Sequence, residues 1–204
     1  MNLDNIYWIG GSPCCGKSSV AEKLIKEYGF KYYKCDDFLE HYIAMGVKRG
    51  SKLMKTINKR TQDETWMRDV SEQVEEEFEF YRYALTIIIK DLKKYNNQNV
   101  VVEGAALLPE FAQKMELAKN RYICMTPSRE FQMEKYKERK WVKYYLRTCS
   151  NWEQAFDNWM ARDVEFARMV KNEAAELDFN TLTIDGQKSI DEVYQEVKTV
   201  FELE

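Results

Sequence analysis

The residues with the clearest chemical meaning are Gly11-Ser12-Pro13-Cys14-Cys15-Gly16-Lys17-Ser18, a complete G-x-x-x-x-G-K-S spacing. Gly11 and Gly16 leave room for backbone N–H groups to turn inward onto phosphate oxygens, where a side chain would block the approach. Lys17 would set an ammonium between β- and γ-phosphates, and the Ser18 hydroxyl would ligate Mg²⁺. The start of a following helix adds partial positive charge. The run Gly11 to Ser18, with Ser19 beside it, is therefore the expected site for a nucleoside triphosphate.

Further chemistry-bearing residues follow at the ends of apolar runs. Lys31 to Cys35 leads into Asp36-Asp37-Phe38, and Val100 to Val102 leads into Glu103-Gly104. Acids in such places belong at the active edge of an open α/β sheet. Glu103 would assist Mg²⁺ or orient a nucleophile. A basic stretch holds Arg129, Lys135, Lys137, Arg139, Lys140, Lys143 and Arg147. It reads either as a solvated face or as a mobile lid that brings an arginine to the transferring phosphoryl group.

The elements that must position these residues are legible from periodicity. Ile6 to Ile9 is a buried strand, and Val20, Ala21, Leu24, Ile25 and Tyr28 repeat at helical spacing up to Gly29. Residues 38 to 95 are mostly helical with a break from Gly46 to Ser51, too long for a simple crossover and hence a candidate acceptor arm. In its last part Val70, Val74, Phe78, Tyr81, Leu85, Ile88 and Leu92 share one face, with a stop expected at Asn96-Asn97. Tyr81 stands in that stripe with Glu77 and Arg82 at its edges, and all three are candidate substrate contacts. Six basic residues between Lys48 and Arg60 form either a solvated face or an attraction for an anionic substrate.

Tyr122 to Met125 is a fourth strand ending at Thr126-Pro127. A long helix from Asn151 to Leu177 carries Trp152, Phe156, Trp159, Met160, Ala167, Val170 and Ala174 on one face. Asp163 falls in the middle of that stripe and must be paired, with an arginine foremost, or face a cleft. Arg162 lies at the edge, within reach of a nucleotide. Thr181 to Ile184 is a fifth strand, and Ser189 with Glu192 makes a capping box for the last helix. Strands and helices in alternation imply a parallel α/β sheet with right-handed crossovers.

The 204 residues suit a single domain, 1–204, with a net charge of -3 and 32 per cent charged residues. That balance argues against a basic nucleic-acid binder and against disorder. Five cysteines without C-x-x-C spacing fit a reduced chain lacking a zinc site. Asp4 ahead of the first strand and the absence of a long apolar run lead to the expectation of no signal peptide, no membrane span and a cytoplasmic location. No N-K-x-D follows the loop, since Asn58-Lys59 leads to Arg60-Thr61, which argues against a GTPase switch.

With these residues in view, Gly11 to Ser18, Asp36-Asp37-Phe38, Glu103-Gly104-Ala105-Ala106-Leu107-Leu108-Pro109 and the basic lid resemble the nucleoside-monophosphate-kinase-like P-loop kinases. Glu-Gly-x-x-Leu-x-Pro is similar to 2-phosphoglycerate kinases, and Asp-x-Phe to uridine kinases and zeta toxins. Arg139-Lys140-Trp141-Val142 and Trp159-Met160-Ala161-Arg162-Asp163 resemble a bacterial family of P-loop kinases. The resemblance spans nearly the whole chain. It implies a three-layer fold with a five-stranded parallel sheet of order 2-3-1-4-5, Mg·ATP as donor and a small-molecule acceptor. It also implies an acceptor arm over about 38–95 and a lid over about 128–150. Catalytic roles then fall to Lys17, Asp36 or Asp37, Glu103, Arg139 and Arg162, and acceptor contacts to Asp36, Tyr81, Arg82 and Glu103. Alignment on Asp-x-Phe favours Asp36 as the base and leaves Asp37 to cap the next helix; alignment on Asp-Phe-Leu, as in gluconate kinases, favours Asp37. A polynucleotide kinase and a non-catalytic nucleotide-binding module are the rival readings.

Overall fold

Alternation within the strands decides which layer each residue joins. In the computed structural model, which describes residues 4–95 and 98–204, β1 (Ile6–Gly11) leads through the glycine loop into α1 (Lys17–Tyr28) and then β2 (Lys31–Lys34). A 3₁₀ turn over Cys35–Phe38 opens the helical arm: α2 (Leu39–Lys48), α3 (Lys52–Lys59), α4 (Gln62–Trp66) and α5 (Val70–Leu92). The chain continues through β3 (Val100–Glu103), α6 (Pro109–Lys114), β4 (Tyr122–Pro127), α7 (Arg129–Glu138), α8 (Lys140–Tyr145), α9 (Trp152–Glu176), β5 (Asn180–Ile184) and α10 (Ile190–Phe201). The five strands are all parallel, in the order β2-β3-β1-β4-β5.

Ile6, Trp8, Val100, Val102, Tyr122 and Cys124 face one side of the sheet and pack against α5, α6 and α9. Their neighbours Tyr7, Ile9, Val101, Ile123 and Met125 face the other side, against α1 and α10. Period-two alternation in strands buried on both faces thus builds three layers. A third cluster joins Trp66 of α4, Tyr136 of α7, and Val142 and Leu146 at α8 to Ala155, Phe156, Trp159 and Met160 of α9. It fixes the arm and the basic segment to the body beside the strand ends.

Several boundaries differ from the pattern in the sequence. α2 runs through Gly46, because Met54 of α3 fills the space beside it, and the chain breaks only at Arg49 to Ser51. Asp37 caps nothing: the 3₁₀ turn runs straight into α2, whose N-cap position is Phe38 without a side-chain hydrogen bond. Trp152 is 42 % exposed, since packing of α9 begins only at Ala155 and Phe156. The stop expected at Asn96-Asn97 lies outside the described residues; α5 ends at Leu92 and passes into a 3₁₀ turn. Among the described residues no helix is long and apolar enough to cross a membrane.

The contact between α5 and α9 carries the load of the arm. Phe166 of α9 is 0 % exposed and meets Phe78 and Tyr81 of α5 at ring-centroid distances of 4.9 and 5.5 Å. Phe166→Ala is expected to cost about 3–5 kcal/mol, measured by denaturant unfolding; a loss under about 1 kcal/mol would show that this contact does not hold the arm.

Candidate active site

Strand register brings the loops together. Gly11 pairs with Met125, Ile9 with Glu103, and Lys34 with Glu103, so β1, β2, β3 and β4 end at one edge of the sheet. Open α/β sheets bind ligands at this edge. The loop after β1 is held from below: Ser12 N–H donates to Met125 O at 3.1 Å, and Cys15 Sγ donates to Ser12 O and Met125 O, both at 3.1 Å. Gly11, Cys14 and Gly16 take φ of +108°, +68° and +80°.

Helix α1 starts on Gly16 with no side-chain cap and no acid in its first turn. Its N–H groups and partial charge are left for an anion. The Lys17 side chain is 6 % exposed and lies over the loop, its ammonium donating to Ser12 O. Burial pulls that ammonium down, but Cys15, Glu103 and Asp36 more than offset it, and its pKa stands above the ordinary lysine value. Ser12 Oγ is buried without a partner among the described residues. A cradle with an orphaned hydroxyl, a protonated lysine and an uncapped helix fits a polyphosphate.

Glu103, 1 % exposed, accepts hydrogen bonds from Ser18 Oγ and Tyr32 Oη, both at 2.9 Å. Gly104 has φ +152°, and a Cβ there would stand 2.5 Å from Cys35 Cβ and 3.6 Å from Asp36 Oδ1. Only glycine lets β3 end this close to the 3₁₀ turn, which places Asp36 beside Glu103. Among the described residues no group of three or more His, Cys, Asp or Glu is arranged to hold a metal. Ser18 with Glu103 instead offers the sparse protein donor set that Mg²⁺ takes when phosphates complete its shell.

The two acids of the 3₁₀ turn diverge. Asp36 acts electrostatically on Lys17, Glu77 and Tyr81. Asp37, 66 % exposed in its side chain, leans toward Lys34 at 3.9 Å. Behind them is a buried network. Asp163, 0 % exposed, accepts from Arg162 Nε and Nη2 at 2.9 and 2.6 Å and from Tyr136 Oη at 3.1 Å. Arg162 Nε, whose N–H is aimed at Asp163, also stands 3.2 Å from Glu77 Oε2, so that oxygen gains attraction but no aimed hydrogen bond. Tyr81 Oη donates to Glu77 Oε1 at 2.9 Å, and the Arg162 guanidinium lies 4.8 Å from the centre of the Trp66 ring. Burial, only partly opposed by Arg162, pushes the Glu77 carboxyl up to about 7.

Pro13 to Ser19, Asp36, Asp37, Tyr81, Glu103, Arg139 and Arg162 line one cleft of about 570 Å³. Arg82 is not among them: it is outside, its Nε donating to Glu110 Oε1 at 2.7 Å. Of the seven basic residues from Arg129 to Arg147, Arg139 reaches that cleft, its Nη2 3.5 Å from Cys14 Sγ and its guanidinium over the Tyr136 ring. Lys143 and Arg147 instead stack on Trp152 and Tyr144, and Lys135 pairs with Glu138. Residues not anticipated at the site are Tyr32, Lys34, Tyr136, Trp141 and the two tryptophans Trp66 and Trp159 stacked at 4.7 Å. Strand alternation carried the signal for Tyr32, which must face opposite to the core residue Tyr33.

No protein-family model matches the chain. Adenylate kinase 1 of Drosophila melanogaster is 38% identical over 48 residues, 24% of this chain and 21% of that protein. Adenylate kinase isoenzyme 1 of Homo sapiens is 32% identical over 54 residues, 26% of this chain and 28% of that protein. The chain thus spans under a third of the curated relatives it matches. A solved shikimate kinase from Bacteroides thetaiotaomicron is 12% identical and superposes over 97% of this chain and 98% of that one, with a TM-score of 0.54. Together with the strand order, this shows the P-loop kinase fold.

Because Glu77 keeps its proton to about pH 7 when folded and releases it near 4.5 when unfolded, the folded state binds more protons between those values. Stability therefore falls as pH rises through that window. The change in Tm caused by Glu77→Gln is expected to be more positive at pH 8 than at pH 5. A change of Tm independent of pH would show that Glu77 does not titrate on folding.

Proposed function

We propose that the protein is an ATP-dependent small-molecule kinase that transfers the γ-phosphoryl group of Mg·ATP to an acceptor hydroxyl. The observation that carries this reading is the single cleft in which the phosphate loop, the Ser18–Glu103 pair and Asp36 face the helical arm. In it Lys17 and the loop N–H groups bind the β- and γ-phosphates. Bound Mg²⁺, held by Ser18 and Glu103, would supply charge neutralisation on those phosphates. Asp36 accepts the acceptor's hydroxyl proton, the freed oxygen bonds to the γ-phosphorus, and ADP leaves with the electrons of the broken P–O bond. Arg139, at the joint between α7 and α8, and Arg162 supply positive charge from the lid and the body.

Two substitutions test this. Lys17→Ala is expected to abolish ATP turnover and weaken ATP binding in isothermal titration, with about 1 kcal/mol of stability lost with the bond to Ser12. Unchanged turnover would sink the assignment of the phosphate loop. Asp36→Asn removes the proton acceptor and keeps its shape, so kcat for acceptor-dependent ADP release should fall by about two to four orders of magnitude with ATP affinity nearly constant. Asp37→Asn, which removes only an exposed partner of Lys34, should change kcat by no more than a few fold. Near-normal kcat in both variants would transfer the role of base to Glu103.

A further inference from the structure

Two adjacent tyrosines on β2 point to opposite sides of the sheet and meet different acids. Tyr33 is 1 % exposed on the α5 side, where its Oη donates to Asp91 Oδ2 at 3.0 Å. Tyr32 packs on the α1 side, and its Oη donates to Glu103 Oε1 at 2.9 Å. The register accounts for that reach. Lys34 pairs with Glu103 and Tyr32 with Val101, so Tyr32 stands two residues short of the carboxylate, on the neighbouring strand and on the same face. Diagonal neighbours of this kind are within the span of an aromatic side chain. Glu103 lines the phosphate cleft, whereas Tyr32 stands behind it and is not part of the cleft wall.

Glu103 is held differently from the buried acid on α9. Asp163 meets the guanidinium of Arg162 at 2.6 Å, which matches its charge. The donors to Glu103, Ser18 Oγ and Tyr32 Oη, are both neutral hydroxyls, and both go to Oε1. Lys17 feels the charge of Glu103 but donates to Ser12 O. Neutral donors fix the direction of a carboxylate without cancelling its charge, and a buried charge left in that state calls for a cation. With both lone pairs of Oε1 engaged, Oε2 is the oxygen left for the metal side of the cleft.

The two hydroxyls are not equivalent. That of Ser18 is the expected Mg²⁺ ligand, and it turns freely about a single bond. The Tyr32 hydroxyl is fixed by a ring packed into the α1-side core. Tyr32 therefore holds Glu103 whether or not Ser18 is engaged on the metal.

We propose, resting on the kinase reading, that Tyr32 is a positioning residue for Mg·ATP. Its hydrogen bond fixes the Glu103 carboxylate so that Oε2 stays toward the cleft, and this sets how far Mg²⁺ tightens the binding of ATP. Tyr32 touches neither nucleotide nor metal and acts through Glu103. Groups that stand behind a metal's contacts and orient them are worth about tenfold to a hundredfold in metal affinity, and one neutral donor belongs at the lower end.

Isothermal titration of the full chain with ATP, once in EDTA and once in excess Mg²⁺, gives the ratio of the two dissociation constants. That ratio reads metal coupling without any turnover. Tyr32→Phe keeps the ring and removes the donor. It should leave the affinity for ATP in EDTA within about twofold of the wild type and reduce the ratio about tenfold. In a Glu103→Gln background the same substitution should change the ratio by less than about twofold, because the charge through which it acts is already gone. The proposal is overturned if Tyr32→Phe leaves the ratio unchanged, with or without a lower Tm, or if it weakens ATP equally in EDTA and in Mg²⁺. It is also overturned if the effect persists in full beside Glu103→Gln, which would place the phenol on the metal itself. A wild-type chain that binds no ATP, or gains nothing from Mg²⁺, sinks the kinase reading and this proposal together; a wild-type gain that Tyr32→Phe leaves intact sinks this proposal alone.

Discussion

The carboxylate of Asp163 at the centre of an apolar helix face is the constraint on which the site depends. An ion buried among Phe166, Met160 and Trp159 needs partners, or its desolvation would outweigh the packing around it. Its partners come from two directions, Arg162 on α9 and Tyr136 on α7. Arg162 in turn engages Glu77 on α5 and the Trp66 ring on α4. One buried charge thus ties the body, the arm and the segment after β4 into a single geometry. The cost of that arrangement appears at Glu77, which burial, only partly opposed by the guanidinium it shares with Asp163, raises to about 7.

The layers of the fold were legible because their causes are local. Strand alternation, glycine at both ends of α1 and the Ser189–Glu192 capping box each act within a few residues. Asp163 was legible for the same reason: its place in the stripe follows from helical period alone, and its need for an arginine from electrostatics. Errors arose where a distant element decided. Gly46 continues a helix because Met54 packs beside it, and Asp37 turns toward Lys34 because the turn after β2 is 3₁₀ rather than extended. Arg82 went to Glu110 on α6, a partner that periodicity on α5 does not reveal. Tyr136 and the tryptophan wall belong to elements that meet only in three dimensions.

The divergence of Asp36 and Asp37 has the same origin. Strand alternation predicts that the two acids point to opposite sides, but both lie in the 3₁₀ turn after β2, where alternation no longer holds. Gly104 lets β3 come close to Cys35 and Asp36, while Asp37, also on the cleft wall, leans toward Lys34.

The two ends of the cleft hold their cations differently. At the sheet edge Lys17 bonds a carbonyl rather than a carboxylate, and α1 begins without a cap or an acid, so positive potential is left unspent for phosphates. In the arm Arg60 and Arg68 share the one carboxylate of Glu76, and Arg162 holds Asp163. Asp36 and Glu103 sit in the cleft between the phosphate loop and the arm, where the two environments meet.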